Sequence, residues 1–188
     1  MAISNGILSV GIATIICTFI SFFLYNKNRD RMMVIYNFIF CFGVYTWIVY
    51  NFFPLPLSLS YWKDMVLRPV DNWKGSIVLV PFNEIFDMFS RFGINAMTMR
   101  VLVKIYVNMA AAPLMMGFSI KGAYKKLKKV QIMIIMLVSA FIPFLVHSSF
   151  IVIGKQVWKR VDITTTLFFI LYFYIGYGVY LLIKKLRS

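Results

Sequence analysis

Histidine, cysteine and acidic residues are scarce in this chain of 188 residues, which holds one His, two Cys and six Asp+Glu. One histidine and two separated cysteines do not supply the close ligands of an ordinary zinc site. The P-loop, the Gly-x-Ser-x-Gly elbow and the His-Glu-x-x-His helix are absent too. No cofactor, metal or catalytic residue is therefore assigned. Glu84 and Asp87 could form a carboxylate pair, but three-residue spacing is common on any polar helix face. No fixed-period repeat stands out. The first six residues, Met1-Ala2-Ile3-Ser4-Asn5-Gly6, carry no basic residue, and no small-residue cleavage site follows. The first apolar run is therefore expected to be retained.

Apolar residues are abundant: 61% of the chain is hydrophobic, and its mean hydropathy is +0.81. Five runs, near Ile7–Tyr25, Met33–Phe53, Met99–Ile120, Val130–Ile153 and Ile163–Ile183, are each long enough to cross a bilayer. A hydrocarbon core of ~30 Å needs about 20 helical residues. Lipid offers a bare peptide group no hydrogen-bond partner, so such runs are helices rather than open sheet. The expectation is an all-α integral membrane protein with five transmembrane helices. The turns between them leave no room for a separate soluble domain, so 1–188 is read as a single membrane domain. Cys17 and Cys41 fall inside runs; packing suits them, and a disulfide would need the first two helices to face each other there.

The net charge is +14, from 20 Lys+Arg against the six acids. No recognition motif accompanies that charge, so no nucleic acid is expected; basic residues beside spans set topology and meet anionic headgroups. If all five helices cross, Lys27, Arg29, Arg31, Lys121, Lys125, Lys126, Lys128, Lys129, Lys184, Lys185 and Arg187 share one side. They lie close to span ends, where positive residues mark the cytoplasm. The N-terminus is thus expected outside and the C-terminus in the cytoplasm. The outer side keeps Lys63, Arg68, Lys74, Arg91, Lys155, Lys159 and Arg160, with Arg100 and Lys104 entering the third span. It also keeps Asp64, Asp71, Glu84, Asp87 and Asp162, leaving only Asp30 inside. Such a mixed outer face suits either a solvated surface with local ion pairs or a binding surface.

Residues 54–98 form the only long loop. Pro54 and Pro56 end the second helix. From Pro81 the pattern turns helical: Phe82, Ile85, Phe86, Phe89 and Phe92 fall on one face, with Asn83, Glu84, Asp87, Ser90 and Arg91 opposite. Pro81 suits the first helical position and Gly93 the terminus. This short amphipathic helix should lie in the outer interface, with Asp87 and Arg91 paired one turn apart. Tyr45, Trp47, Tyr50, Tyr61, Trp62, Trp73 and Trp158 cluster near the outer boundary as an interfacial belt. Ser9, Ala13, Cys17 and Ser21 recur every four residues, a small-residue stripe that admits another helix, either internal or from a partner protein. Pro113, after Ala110-Ala111-Ala112, should kink the third helix.

Polar residues within or beside spans are the candidate ligands, because burying them is costly. Asn108 lies mid-span in the third helix, where it could contact a ligand or bond another helix. Arg100 and Lys104, one turn apart, could hold an anion or snorkel to headgroups. His147, beside Ser148 and Ser149, could titrate near neutrality or serve as a hydrogen-bonded interface residue. Lys159, Arg160 and Asp162 precede the last span and its Thr164-Thr165-Thr166. Asp162 suits a helix cap, and Arg160 suits a phosphate or carboxylate.

This ordering resembles the VanZ-like family, small membrane proteins associated with tolerance of glycopeptide antibiotics. The resemblance spans about residues 68–183. It rests on Arg68-Pro69-Val70, Val78-Leu79-Val80-Pro81-Phe82, Asn108 with Pro113-Leu114 and Gly117-Phe118, Arg160-Val161-Asp162-Ile163, and Tyr174-Ile175-Gly176-Tyr177-Gly178. The chain departs from that pattern where the family places a glutamate and a glutamine, here Pro143 and Val146, and an acid and an asparagine, near Thr165 and Phe169. The resemblance implies a multi-pass protein of a bacterial plasma membrane that contributes to tolerance of cell-wall-directed antibiotics or peptides. On this reading an outer pocket engages an anionic lipid or lipid-linked ligand through Arg68, Arg91, Arg100, Lys104, Lys159 and Arg160, with Asn108, His147 and Asp162 nearby. Two other readings remain open. One is a non-enzymatic subunit of a transporter or other membrane assembly, joined through Ser9, Ala13, Cys17 and Ser21. The other is a membrane enzyme, which would need His147, Glu84 and Asp87 to converge.

Overall fold

The computed structural model describes residues 14–23, 30–52, 76–154 and 161–187, without the side chains at 104, 105, 108, 153 and 154. Their elements are α1 (Thr14–Phe23), α2 (Arg31–Phe52), β1 (Ile77–Val78), α3 (Asn83–Phe92), α4 (Ala96–Ala123), α5 (Lys129–Gly154), β2 (Val161–Asp162) and α6 (Ile163–Arg187). The chain is mostly helical. Among the described residues three helices, Arg31–Phe52, Lys129–Val152 and Ile163–Arg187, are long and apolar enough to cross a membrane, which is consistent with a membrane protein. Wide apolar exposure fits this. Phe19, Met133, Ile134, Leu171 and Leu182 are all open at the bundle surface, where lipid rather than water would meet them.

Helix α4 is the inner member and packs along both α2 and α6. Its 28 residues include Arg100, Lys104 and Lys121, so it is less apolar than its neighbours. Its second half is nonetheless the most buried part of the fold, with Met116, Ser119, Ile120 and Ala123 almost fully covered. The core joins Met116 and Ile120 to Ile132, Met136 and Ala140 of α5 and to Phe169 and Phe173 of α6, with Phe40, Val44 and Trp47 of α2 against its edge.

Glycines set the spacing of these helices. A Cβ on Gly117 would overlap the Phe173 carbonyl, and one on Gly176 would overlap the Leu114 carbonyl. The backbones of α4 and α6 therefore touch directly, the small-residue packing that holds helices together where lipid removes the hydrophobic drive. Gly122 likewise receives the Tyr36 ring, and Gly43 sits against Met116. These contacts pair the start of α2 with the end of α4, so the two run antiparallel.

Local chemistry explains the helix ends. Asn95 caps α4: its side-chain oxygen accepts the Met97 and Thr98 amides at 2.9 Å, while Thr98 accepts the Asn95 N–H at 3.1 Å. The helix thus starts three residues before the apolar run suggests. Gln131 accepts the Lys128 N–H at 2.8 Å and opens α5. At the end of α4, the Lys121 ammonium donates to the carbonyls of Lys125 and Leu127. The α3 pattern holds with one shift. The helix begins at Asn83 rather than Pro81, because Phe82 adopts a left-handed conformation (φ 63°) that ends the turn containing Pro81. Gly93 closes it as expected, and Asp87 and Arg91 pair at 4.0 Å.

Both cysteines are free. Cys17 and Ser21 of the small-residue stripe are buried, and Asn37 donates to Ser21 Oγ at 3.3 Å. The described half of the stripe therefore faces α2; Ser9 and Ala13 lie outside the described residues. Trp47 is not a belt residue. Its indole turns inward and donates to the Ser139 carbonyl at 3.1 Å. Pro143, four residues on, has no N–H to offer that carbonyl, and the tryptophan takes its place.

Candidate functional site

Several buried polar side chains, Thr98, His147, Asp162, Thr164 and Thr166, gather at the end of the bundle that carries α3. Strands β1 and β2 pair in parallel there, with Ile77 opposite Val161 and Val78 opposite Asp162. This ties the segment before α3 to the start of α6. Asp162 Oδ1 accepts the Thr164 N–H at 2.8 Å, and Thr165 Oγ1 donates to the Asp162 carbonyl at 2.7 Å, so the expected helix cap is in place. Thr164 Oγ1 in turn accepts the Phe82 N–H at 2.8 Å, and Phe82 meets Phe168 edge-on at 6.1 Å. A left-handed phenylalanine costs on the order of 1–2 kcal/mol. These two contacts hold it.

Asp162 is only 5% exposed. Its second oxygen, Oδ2, is buried and has no hydrogen-bond partner among the described residues. The Tyr106 phenol lies within electrostatic reach of Asp162, Glu84 and Tyr50. His147 is equally buried. Its Nε2 lies 2.8 Å from the Asn51 carbonyl, and its ring stacks on Phe52 at 5.7 Å. Asn51 belongs to the last turn of α2, whose carbonyls lack partners within their own helix. A carbonyl can only accept, so Nε2 carries the hydrogen.

Two small cavities adjoin at this end. One, of about 40 Å³, lies among Trp47, Ser139, Pro113, Thr166 and Phe169. The other, of about 50 Å³, is bounded by His147, Val161 and Asp162. Tyr50, Asn51, Met109, Pro143, Phe144 and Thr165 border both. Each has room for water-sized groups. The two cavities are thus floored by α2, α4 and α5 and closed by the first turn of α6.

The nine expected site residues divide unevenly. His147 and Asp162 line the same cavity. Arg91 and Arg100 are exposed, line neither cavity, and Arg91 is already paired with Asp87. Arg68, Lys159 and Arg160 lie outside the described residues, as do the side chains of Lys104 and Asn108. The cavity walls that are described are therefore acidic, amide, hydroxyl and aromatic rather than cationic. Asp87 lies on the exposed face of α3 and His147 inside the bundle, so they do not form one site. Among the described residues, no three His, Cys, Asp or Glu side chains lie together as metal ligands. Tyr50, Asn51, Pro143 and Thr165 were missed in the sequence. The available signal was Pro143, which leaves the carbonyl of residue 139 in need of an outside donor.

The opposite end is different in kind. Asp30 precedes α2 and accepts the Met32 and Met33 amides at 3.1 and 3.2 Å. Its other oxygen meets the Lys125 ammonium in the α4–α5 turn. The Lys125 bond and the Met33 amide hold the Asp30 carboxyl below its ordinary pKa, while Asp30 raises that of Lys125. No protein-family model, curated protein or solved structure matches this chain.

Proposed function

We propose that this chain is a VanZ-like envelope protein of a bacterial plasma membrane. It would contribute to tolerance of cell-wall-directed antibiotics or peptides by binding at the α3 end, without catalysis. Five helices cross, α3 lies in the outer interface, the N-terminus is outside and the C-terminus is cytoplasmic. The observation that carries the reading is that buried His147, Asp162, Thr164 and Thr166 and two small polar-lined cavities lie together at that one end. Three of the four positions where the resemblance expects polar side chains, Pro143, Thr165 and Phe169, border those cavities. An interfacial α3 is supported by the exposure of Phe86, Phe92, Ile94 and Met97 along and just beyond it. The orientation is supported by the basic residues that crowd the Asp30 end.

Arg91 and Arg100 are the described cations placed to meet an anionic headgroup or lipid-linked phosphate from the aqueous side. Replacing both with Gln should weaken flotation of the purified protein with vesicles of anionic lipid and lower antibiotic tolerance in cells. Unchanged vesicle binding rejects the anionic surface. The subunit reading keeps one supporting feature, the lipid-exposed Ile15, Phe19, Phe22 and Phe23 of α1. A stoichiometric partner co-purifying with the chain, and lost on Phe19→Ala, would favour it.

A further inference from the structure

We propose that the cavity beside Asp162 is a binding site for a primary ammonium group. The inference goes beyond the tolerance reading and does not rest on it. Three observations carry it.

The first is the carboxylate. Asp162 Oδ1 is committed to the α6 amide, while Oδ2 is buried without a partner among the described residues and borders a cavity. A buried ionised oxygen needs a donor, because its desolvation is otherwise uncompensated.

The second is the count of acceptors. An ammonium presents three N–H donors and no acceptor. The cavity is bordered by Asp162, Asn51 and Thr165. Asn51 uses its amide N–H on the Trp47 carbonyl, which leaves its side-chain oxygen to accept. Thr165 uses its hydroxyl hydrogen on the Asp162 carbonyl, which leaves its lone pairs. These three side chains alone can take an ammonium's three donors. A bare alkali or divalent ion asks for roughly six oxygens, more than these three side chains supply.

The third is the remaining wall. Tyr50, Phe144 and His147 border the same space, and aromatic faces attract a cation that has left water. The space, about 50 Å³, is large enough for an ammonium and its first methylene. A quaternary ammonium has the same charge, yet it lacks the N–H donors.

The site lies at an end of the bundle, so the amine could be the headgroup of an aminolipid or a free small amine. Both present the same group. The test uses the full-length protein in nanodiscs and reads thermal unfolding and amine affinity. In phosphatidylcholine discs, ethanolamine should raise the unfolding temperature and choline should not. Discs of phosphatidylethanolamine should give the same rise with no added amine if the lipid is the source. If only free ethanolamine acts, the source is soluble. Asp162→Asn keeps the helix cap and removes the charge, and should weaken ethanolamine binding at least tenfold. Asp87→Asn, on the exposed face of α3, should leave it unchanged. Asn51→Ala should weaken it severalfold and serves if Asp162→Asn does not fold. Equal stabilisation by choline, protection by sodium chloride alone, or undiminished binding in Asp162→Asn overturns the proposal. The choline comparison needs no variant to fold. It also separates this site from the anionic one, which the Arg91 and Arg100 substitutions address.

Discussion

Asp30 and Asp162 do the same local job at opposite ends of the bundle. Each precedes a helix and accepts backbone N–H groups of its first turn through Oδ1. They differ in what meets the second oxygen. At Asp30 it is Lys125, in a contact open to solvent. At Asp162 it is a cavity among helices, with the carboxylate 5% exposed. One residue type with one capping role thus yields a surface clasp at one end and a buried charge at the other. Capping explains why an aspartate stands at both places, but only the buried one has a capacity its cap leaves unused.

The frame that separates the two ends is the glycine seam between α4 and α6, and breaking it should have the largest effect. Gly117→Val places branched carbon against the Phe173 backbone, where no side chain can swing away. It should cost about 3 kcal/mol or more, seen as a lower unfolding temperature in detergent and a lower yield of folded protein. Next come the caps. Asp162→Ala should cost about 1–2 kcal/mol by orphaning the α6 amides, whereas Asp162→Asn, which still caps, should cost less in the absence of an amine. If the two substitutions are equally harmful, the charge of Asp162 rather than its cap holds the fold.

The Asp30 clasp should show itself through pH. A carboxyl whose folded pKa is depressed stabilises above its unfolded value, near 3.9, and that contribution is lost as pH falls through the lower folded value. The raised pKa of Lys125 makes the complementary statement, a contribution lost as pH rises through its folded value. Asp30→Asn should therefore lower the unfolding temperature at neutral pH, and the gap to wild type should close below about pH 4. A gap that persists in acid would place the effect in the helix cap. Smallest of all, Arg91→Ala breaks an exposed pair one turn long and should cost only a few tenths of a kcal/mol.

The spans were legible because lipid leaves the backbone little choice. Long apolar runs must be helices, and α2, α5 and α6 begin and end within a few residues of the runs that announce them. The α3 face and the Asp162 cap were legible for the same local reason, since both depend on residues within a turn or two. What could not be read locally was the meeting of distant segments. Val78 pairs with Asp162, Trp47 serves Ser139, and His147 serves Asn51. Each joins residues about 80–100 apart, and no periodicity encodes that. Phe82 illustrates the point. Its left-handed backbone follows from Thr164 and Phe168, which no local pattern around Pro81 reveals. Trp47 was assigned to an interfacial belt by its position along the helix, but Pro143 on another helix leaves the Ser139 carbonyl without its helical donor, and that carbonyl draws the indole inward.

The two ends differ in function only if they face different sides of the membrane, and this is open to direct measurement. With Cys17 and Cys41 replaced by Ala, Ser90→Cys on α3 and Lys126→Cys in the α4–α5 turn can be probed in intact cells with a membrane-impermeant maleimide. Labelling of Ser90→Cys in intact cells, and of Lys126→Cys only after permeabilisation, is the expected result. Labelling of Lys126→Cys from outside while Ser90→Cys stays protected would contradict it.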